Sequence, residues 1–186
     1  MAELHGTVSS RARSPTGFAT VRRLTSADLP AYKQLRDEML VAHPEAFTSD
    51  AETEASREPT EYLQRLGLDR VDGGHFLLGA LRGERLIGAI GCEREARRKV
   101  CHLGHVIGMM VRAEARRQGV AHGLLAACTD AARRAGLETL TLSVTAGNHG
   151  AIGLYEQNGF VAYGRLARAL KVGPVYYDKL QMALRL

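Results

Sequence analysis

Cysteine is scarce in the 186 residues: three occur, at positions 92, 101 and 128. So small and odd a set implies no disulfide framework and suits a reducing compartment, so the expected location is the cytoplasm. Apolar residues never run unbroken for anything near the eighteen or so that a membrane span needs, so no membrane partner is expected. Residues 1–17, MAELHGTVSSRARSPTG, lack the apolar core of a secretory signal. They read as a disordered tail ahead of one domain at 18–186. Absent too is any G-x-x-x-x-G-K-[ST] loop, which excludes a Walker-type phosphate site, and Gly119 and Gly123 do not follow the G-x-G-x-x-G dinucleotide spacing.

Charge is present in both signs, with 25 Lys and Arg against 20 Asp and Glu, a net charge of +5 and a pI near 9.4. The basic residues come as scattered pairs: Arg22-Arg23, Arg97-Arg98, Arg116-Arg117 and Arg133-Arg134. A dispersed field of this kind suits an anionic small ligand rather than a nucleic acid, which is not an expected partner.

Periodicity divides the chain. FATVRRL (18–24) alternates as a first strand. Thr25-Ser26-Ala27-Asp28 then places an acid three residues after a cap, ahead of Leu29, Tyr32, Leu35 and Leu40 at helical spacing. Residues 41–59 are a long polar excursion, followed by a short helix at 60–66 that ends at Gly67. HFLLGAL (75–81) and RLIGAIGCERE (85–95) flank Arg82-Gly83-Glu84 as a hairpin, and 100–111 reads as a central strand. Val120, Leu124, Cys128, Ala131 and Ala135 recur as one helix face closing at Gly136. ETLTLSV (138–144) alternates as a strand, 151–158 is a short helix stopped by Gly159, and two more strands follow, from Phe160 and over 177–186. The order β-α-α-β-β-β-α-β-α-β-β predicts an α/β fold with mixed strand directions.

One join carries chemistry. Arg116-Arg117-Gln118-Gly119-Val120-Ala121 lies between an apolar strand and a helix and matches R/Q-x-x-G-x-G/A. Backbone amides at a helix start point outward unpaired, the helix dipole adds partial positive charge, and Gly119 lets a phosphate approach without a Cβ in the way. By itself the segment also reads as an ordinary charged helix start.

Taken together, HVIGMMVRAEARRQGVAHGLL and LTLSVTAGNHGAIGLYEQNGF resemble the GNAT superfamily of N-acetyltransferases, closely over 75–186 and loosely over 18–74. The resemblance implies a mixed, mostly antiparallel sheet of about seven strands with about four helices, binding acetyl-CoA in a V-shaped opening. It implies that backbone groups of Met109, Met110 and Val111 pair with the pantetheine arm and polarise the thioester carbonyl, and that residues 116–121 hold the pyrophosphate. It implies further that Asn148 lies beside the arm and that Tyr155 protonates the departing thiolate. Read without the resemblance, Asn148 is a helix cap and Tyr155 a core aromatic.

The general base has no assignment. Many relatives carry a glutamate at or near the position of Ile107, whereas no carboxylate stands between Val100 and Arg112. His102, His105, Glu93 and Glu95 are the candidates in reach of that strand. Cys101, His102 and His105 do not make a metal site: on a strand the two histidines face opposite ways, and Cys101 and His105 lie roughly 13 Å apart. Gly88, Gly91, Gly104 and Gly108 mark bulges or close approach of the ligand, with plain strand irregularity as the alternative for Gly88 and Gly91.

The expected activity is direct acetyl transfer from acetyl-CoA to a primary amine, without an acyl-enzyme, a metal or a cysteine nucleophile. The expected acceptor is a small amine contacted by residues 43–60 and the strand hairpins. A protein N-terminus or lysine stands second, and a non-catalytic acyl-CoA sensor third. A homodimer is compatible with the sequence.

Overall fold

The computed structural model describes residues 19–68 and 73–186; the tail expected at 1–17 lies outside the described residues. Seven strands form one sheet in the order β1-β2-β3-β4-β5-β7-β6. They are Thr20–Arg23 (β1), Phe76–Arg82 (β2), Arg85–Arg94 (β3), Leu103–Val111 (β4), Thr139–Thr145 (β5), Val161–Val172 (β6) and Val175–Arg185 (β7). The α-helices are Leu29–Ala42 (α1), Ala51–Ala55 (α2), Val120–Arg134 (α3) and His149–Gln157 (α4), and a 3-10 segment spans Pro59–Leu66. Every adjacent pair of strands is antiparallel except β4 and β5. The mixed, mostly antiparallel α/β sheet implied by the resemblance is therefore the one observed.

Two apolar clusters hold the helices to the sheet. The stripe Val120, Leu124, Cys128 and Ala131 of α3 packs on Phe76, Leu78, Ile90, Val106 and Leu140. On the other face, Leu29, Tyr32, Leu35 and Met39 of α1 pack on Leu77, Leu86, Ala89 and Met110, and Tyr62 and Leu66 close the side. Each buried side chain of this size contributes about 1.5–3 kcal/mol relative to exposure, so these faces, not helix propensity, fix the helices.

Three boundaries differ from expectation. β4 begins at Leu103 rather than at residue 100, because Val100 N–H donates to Arg97 O and Leu103 N–H to Val100 O, both at 2.9 Å, closing a turn. Cys101 and His102 thus precede the strand, and Glu95 stands just past β3. The polar excursion at 41–59 is ordered, with a 3-10 turn at Pro44–Ala46 and α2. Its anchor is a buried ion pair, Arg36 Nε to Glu54 Oε2 at 2.5 Å, and Tyr62 Oη donates to the same oxygen at 2.7 Å. Burial alone would raise Glu54, but the hydrogen bonds from Arg36 and Tyr62 outweigh it and hold the carboxyl below its usual range.

Entry to α1 rests on Asp28, which accepts from Arg22 through two N–H groups at 2.8 and 2.7 Å and from Thr25 N–H at 2.7 Å. The Arg22 hydrogen bonds, with those from Thr25, hold the carboxyl far below its usual value. Asp28→Asn should therefore lower stability near neutral pH by about 1 kcal/mol in urea melts. The native carboxylate's contribution is complete above the unfolded value of about 3.9 and is lost as pH falls below it. The gap between wild type and variant should close in acid; a gap that stays undiminished below about pH 3 would contradict this assignment.

Candidate active site

Strands β4 and β5 pair only through Leu103↔Thr139, Gly104↔Leu140 and His105↔Thr141. Beyond that point β4 stays on β3 as far as Val111 and β5 stays on β7 as far as Thr145. The two strands part, and the β5-facing edge of β4 from Val106 to Val111 has no strand partner. A bulge accompanies the parting. Ala89 pairs with Met110 and Gly91 with Ile107, so Gly108 and Met109 together stand opposite Ile90. Gly108 has φ +56°, a conformation that costs glycine nothing and other residues about 1 kcal/mol or more. After the bulge, Met109 and Val111 pack toward the α3 cluster and Met110 toward the α1 cluster. Gly88 and Gly104 are explained by packing: a Cβ there would stand 2.9 Å from the Met110 carbonyl and 2.8 Å from Leu137, respectively.

The start of α3 lies at the end of β4. Arg117 (φ +56°) and Gly119 (φ +78°) are both left-handed, and the first helical bond is Gly123 N–H to Gly119 O at 2.9 Å. Among the described residues the amides of 117 to 122 donate to no backbone acceptor. Nothing lies within 4 Å of a Cβ built on Gly119. Two motif side chains shape the loop instead of filling it. Arg116 reaches back to Val111 O at 3.3 Å and to His43 Nε2 at 2.6 Å. Gln118 donates to Glu114 O at 2.7 Å and accepts from Arg82 at 2.6 Å. Arg117 is exposed, Val120 is buried under α3 and Ala121 is half-buried. An open cradle of free amides at the positive end of a helix fits a diphosphate.

Asn148 caps α4: its Oδ1 accepts from Ala151 N–H at 3.1 Å, and the residue is exposed. Tyr155 is buried in the same cluster as Met109, Val111 and Val120, with its ring 5.8 Å from that of Phe160. Burial, reinforced by Cys128, pushes its phenol up to about 12, so the hydroxyl keeps its proton at neutral pH. Core packing and a protonated hydroxyl thus coexist in this residue.

The opposite face of β4 holds proton-handling groups. His105 Nε2 meets Glu95 Oε1 at 3.0 Å and its Nδ1 meets Thr141 Oγ1 at 2.6 Å, bridging the two strands at the last pair before they part. The hydrogen bond from His105 holds Glu95 below the usual carboxylate range. His102, in the turn, takes no part. Glu93 is the cross-strand neighbour of His105. No cluster of three or more His, Cys, Asp or Glu able to hold a metal occurs among the described residues. Sequence reasoning missed Thr141, and also the ties that lay the Pro44–Ala46 turn across β5 and β7. These are Thr145 Oγ1 to Glu45 O at 2.6 Å and Lys179 Nζ to Ala46 O at 3.1 Å. No local pattern marks partners so far apart in sequence.

Residues 32–160 match the sequence profile of the acetyltransferase (GNAT) family. This chain belongs to that family. N-alpha-acetyltransferase 30 of Schizosaccharomyces pombe is 32% identical to it over 93 residues, half of this chain and 62% of that protein. The chain thus spans less than two thirds of that relative's length. Two solved structures share the fold. A GNAT acetyltransferase from Streptococcus pneumoniae superposes with a TM-score of 0.83 at 18% identity, over 90% of this chain and 99% of that one. The yncA protein of Salmonella typhimurium, solved with acetyl-CoA, gives 0.79 at 17%, over 91% and 94%. Among the described residues no helix is long and apolar enough to cross a membrane. Within the GNAT pattern this chain departs at Ile107, where the resemblance implies a glutamate; His105, bonded to Glu95 and Thr141, stands two residues earlier on β4.

If residues 117–122 cradle a pyrophosphate, Gly119→Glu should remove acetyl-CoA binding while leaving a folded protein, since a carboxylate would enter the open space. Wild type at a hundred times its Kd should gain roughly 2.7 kcal/mol of stability from the ligand. A folded Gly119→Glu protein with wild-type affinity by calorimetry would sink the assignment.

Proposed function

We propose that this protein transfers the acetyl group of acetyl-CoA directly to the primary amine of a small molecule. The observation that carries this reading is the open β4 edge running from the bulge into a loop, residues 117–122, whose amides donate to no backbone acceptor among the described residues. A thioester arm and a diphosphate need that pairing of sites in that order along the chain. Backbone groups of Met109, Met110 and Val111 hold the arm, and the amides from Arg117 onward, arranged by Arg116, Gln118 and Gly119, hold the pyrophosphate, with Val120 and Ala121 starting the helix behind it. Exposed Asn148, at the start of α4, borders the arm.

Acetyl-CoA supplies an acyl group already activated as a thioester. The amine nitrogen forms a bond to the acetyl carbon, the carbon–sulfur bond breaks, and the sulfur leaves as a thiol. A backbone N–H fixed at the bulge stabilises charge as it develops on the carbonyl oxygen. The proton lost by the amine passes by way of Thr141 to His105 Nδ1. With Glu95 ionised, Nε2–H points to its carboxylate, Nδ1 is the free acceptor, and Glu95 balances the imidazolium that results. Tyr155 offers its hydroxyl to the sulfur. A phenol held near 12 gives up its proton to a thiolate uphill, so Tyr155 acts mainly as a hydrogen-bond donor and water completes the transfer.

One observation favours a second reading. The Schizosaccharomyces pombe relative is named as an N-alpha-acetyltransferase, which makes a peptide N-terminus the alternative acceptor. Free-thiol release measured across small amines and short peptides separates the two.

Tyr155→Phe keeps the ring in its cluster and should lower kcat about tenfold or more with Tm and acetyl-CoA affinity near wild type. Because the phenol stays protonated past its ordinary value of about 10, the ratio of wild-type to variant kcat should stay flat to that pH. Full activity in the variant returns Tyr155 to the core alone. His105→Asn should lower kcat by about a hundredfold without changing acetyl-CoA affinity; an unchanged kcat would remove the proton path through His105.

A further inference from the structure

On the α1 side of the opening, a cation beside the β4 bulge is held in place without a counter-charge among the described residues. A Cβ built on Gly108, in the β4 bulge, would stand 3.7 Å from Tyr32 Oη and 3.9 Å from Arg65 Nη1. Tyr32 is fully buried, and its Oη accepts from Arg65 Nη1 at 3.1 Å. The Arg65 guanidinium also lies over the ring of Tyr62 at 5.5 Å. That ring is fixed in turn by an edge-on contact with Tyr32 at 5.4 Å and by its hydrogen bond to Glu54. Two aromatic residues therefore define where Arg65 points.

Three cations largely withdrawn from water on this side have carboxylate partners, Arg36 with Glu54, Lys33 with Asp37 and Arg112 with Glu38, and a fourth, Lys179, is committed to the Ala46 carbonyl at 3.1 Å. Half-buried Arg65 has none among the described residues, and most of its donors are unused. Glu54 is not available to it, being taken by Arg36, Tyr62 and Arg57. A positioned guanidinium without a counter-ion, beside the strand bulge where acyl transfer would occur, is suited to a planar monoanion that it can grip with two parallel N–H groups.

We propose that Arg65, positioned by Tyr32 and Tyr62, binds a carboxylate on the acceptor, so that the acceptor is a free amino acid or a close analogue with its amine a carbon or two from its carboxylate. This rests on reading the opening as the transfer site. A lone guanidinium at the bulge matches a carboxylate better than a phosphate dianion, which would call for a second cation there; Lys179, the other cation on this side without a carboxylate, is tied to the Ala46 carbonyl. The nearness of Arg65 to the bulge favours a free amino acid over a peptide. At the corresponding place a peptide N-terminus offers a neutral amide, which leaves the guanidinium unpaired.

The test is a matched panel of L-amino acids, their C-terminal amides, the corresponding decarboxylated amines and short peptides, with CoA release followed for each. Wild type should show a kcat/KM for at least one free amino acid about ten- to a hundredfold above that for its amide. In Arg65→Gln that acid-to-amide ratio should fall to near one through a raised KM for the acid, with acetyl-CoA affinity by calorimetry unchanged. Arg65→Lys, which keeps the charge but not the fork, should fall between. Amides, amines or peptides accepted as well as the acids by wild type would overturn the proposal, as would no turnover of any acid by a protein that binds acetyl-CoA. An Arg65→Gln protein that loses acids and amides equally would overturn it too. Absence of acetyl-CoA binding by wild type is a different result, and it would remove the transferase reading itself.

Discussion

Two parallel strands at the centre of the sheet stop bonding to each other after His105 and Thr141, and the backbone groups released on β4 need partners that no other strand supplies. Buried polar backbone is almost always satisfied, because each unmet group costs a desolvation penalty of about 1–3 kcal/mol. The bulge at Gly108 and Met109 accompanies this parting, shifting the register between β3 and β4 and reversing which face the following side chains meet. From that one irregularity follow the direction of Met109 and Val111 toward α3, the open edge facing β5, and the placing of the α3 amides at the end of the same strand.

The rest of the fold keeps the gap open and bounded. Arg116 ties the α3 loop back to β4 and to His43, and Thr145 and Lys179 tie the Pro44–Ala46 turn across β5 and β7. Burial lowers the basicity of Lys179, consistent with an ammonium used as a structural donor rather than as a solvated charge. The groups proposed as acid and base fall on opposite faces. Tyr155 sits neutral among the apolar side chains under α3, while His105 and Glu95 stand on the half-exposed α1 face.

The sheet, α1, α3 and the glycine turn at the start of α3 were legible because each follows from a local rule. Val120, Leu124, Cys128 and Ala131 repeat with the helix, Leu140, Leu142 and Val144 alternate with the strand, and Gly119 stands where a left-handed cap is required. The α1 side of the opening was not legible. It depends on Arg36 meeting Glu54, Tyr32 meeting Arg65 and Thr145 meeting Glu45, contacts between residues far apart in sequence with no period to mark them. The boundary error at 100–102 has a similar origin: Val100, Cys101 and His102 look like strand residues, but two carbonyl–amide bonds close them into a turn. His105 was visible as a candidate base; its partner Thr141 reads from sequence only as the polar side of an alternating strand.

Amide hydrogen exchange with and without acetyl-CoA addresses the parted strands most directly. The account predicts that ligand slows exchange at the amides of Gly108 to Val111 and of Arg117 to His122, while the paired residues Leu103 to His105 change little. Binding of acetyl-CoA that leaves those two runs exchanging at the ligand-free rate, with protection elsewhere in the chain, would contradict it.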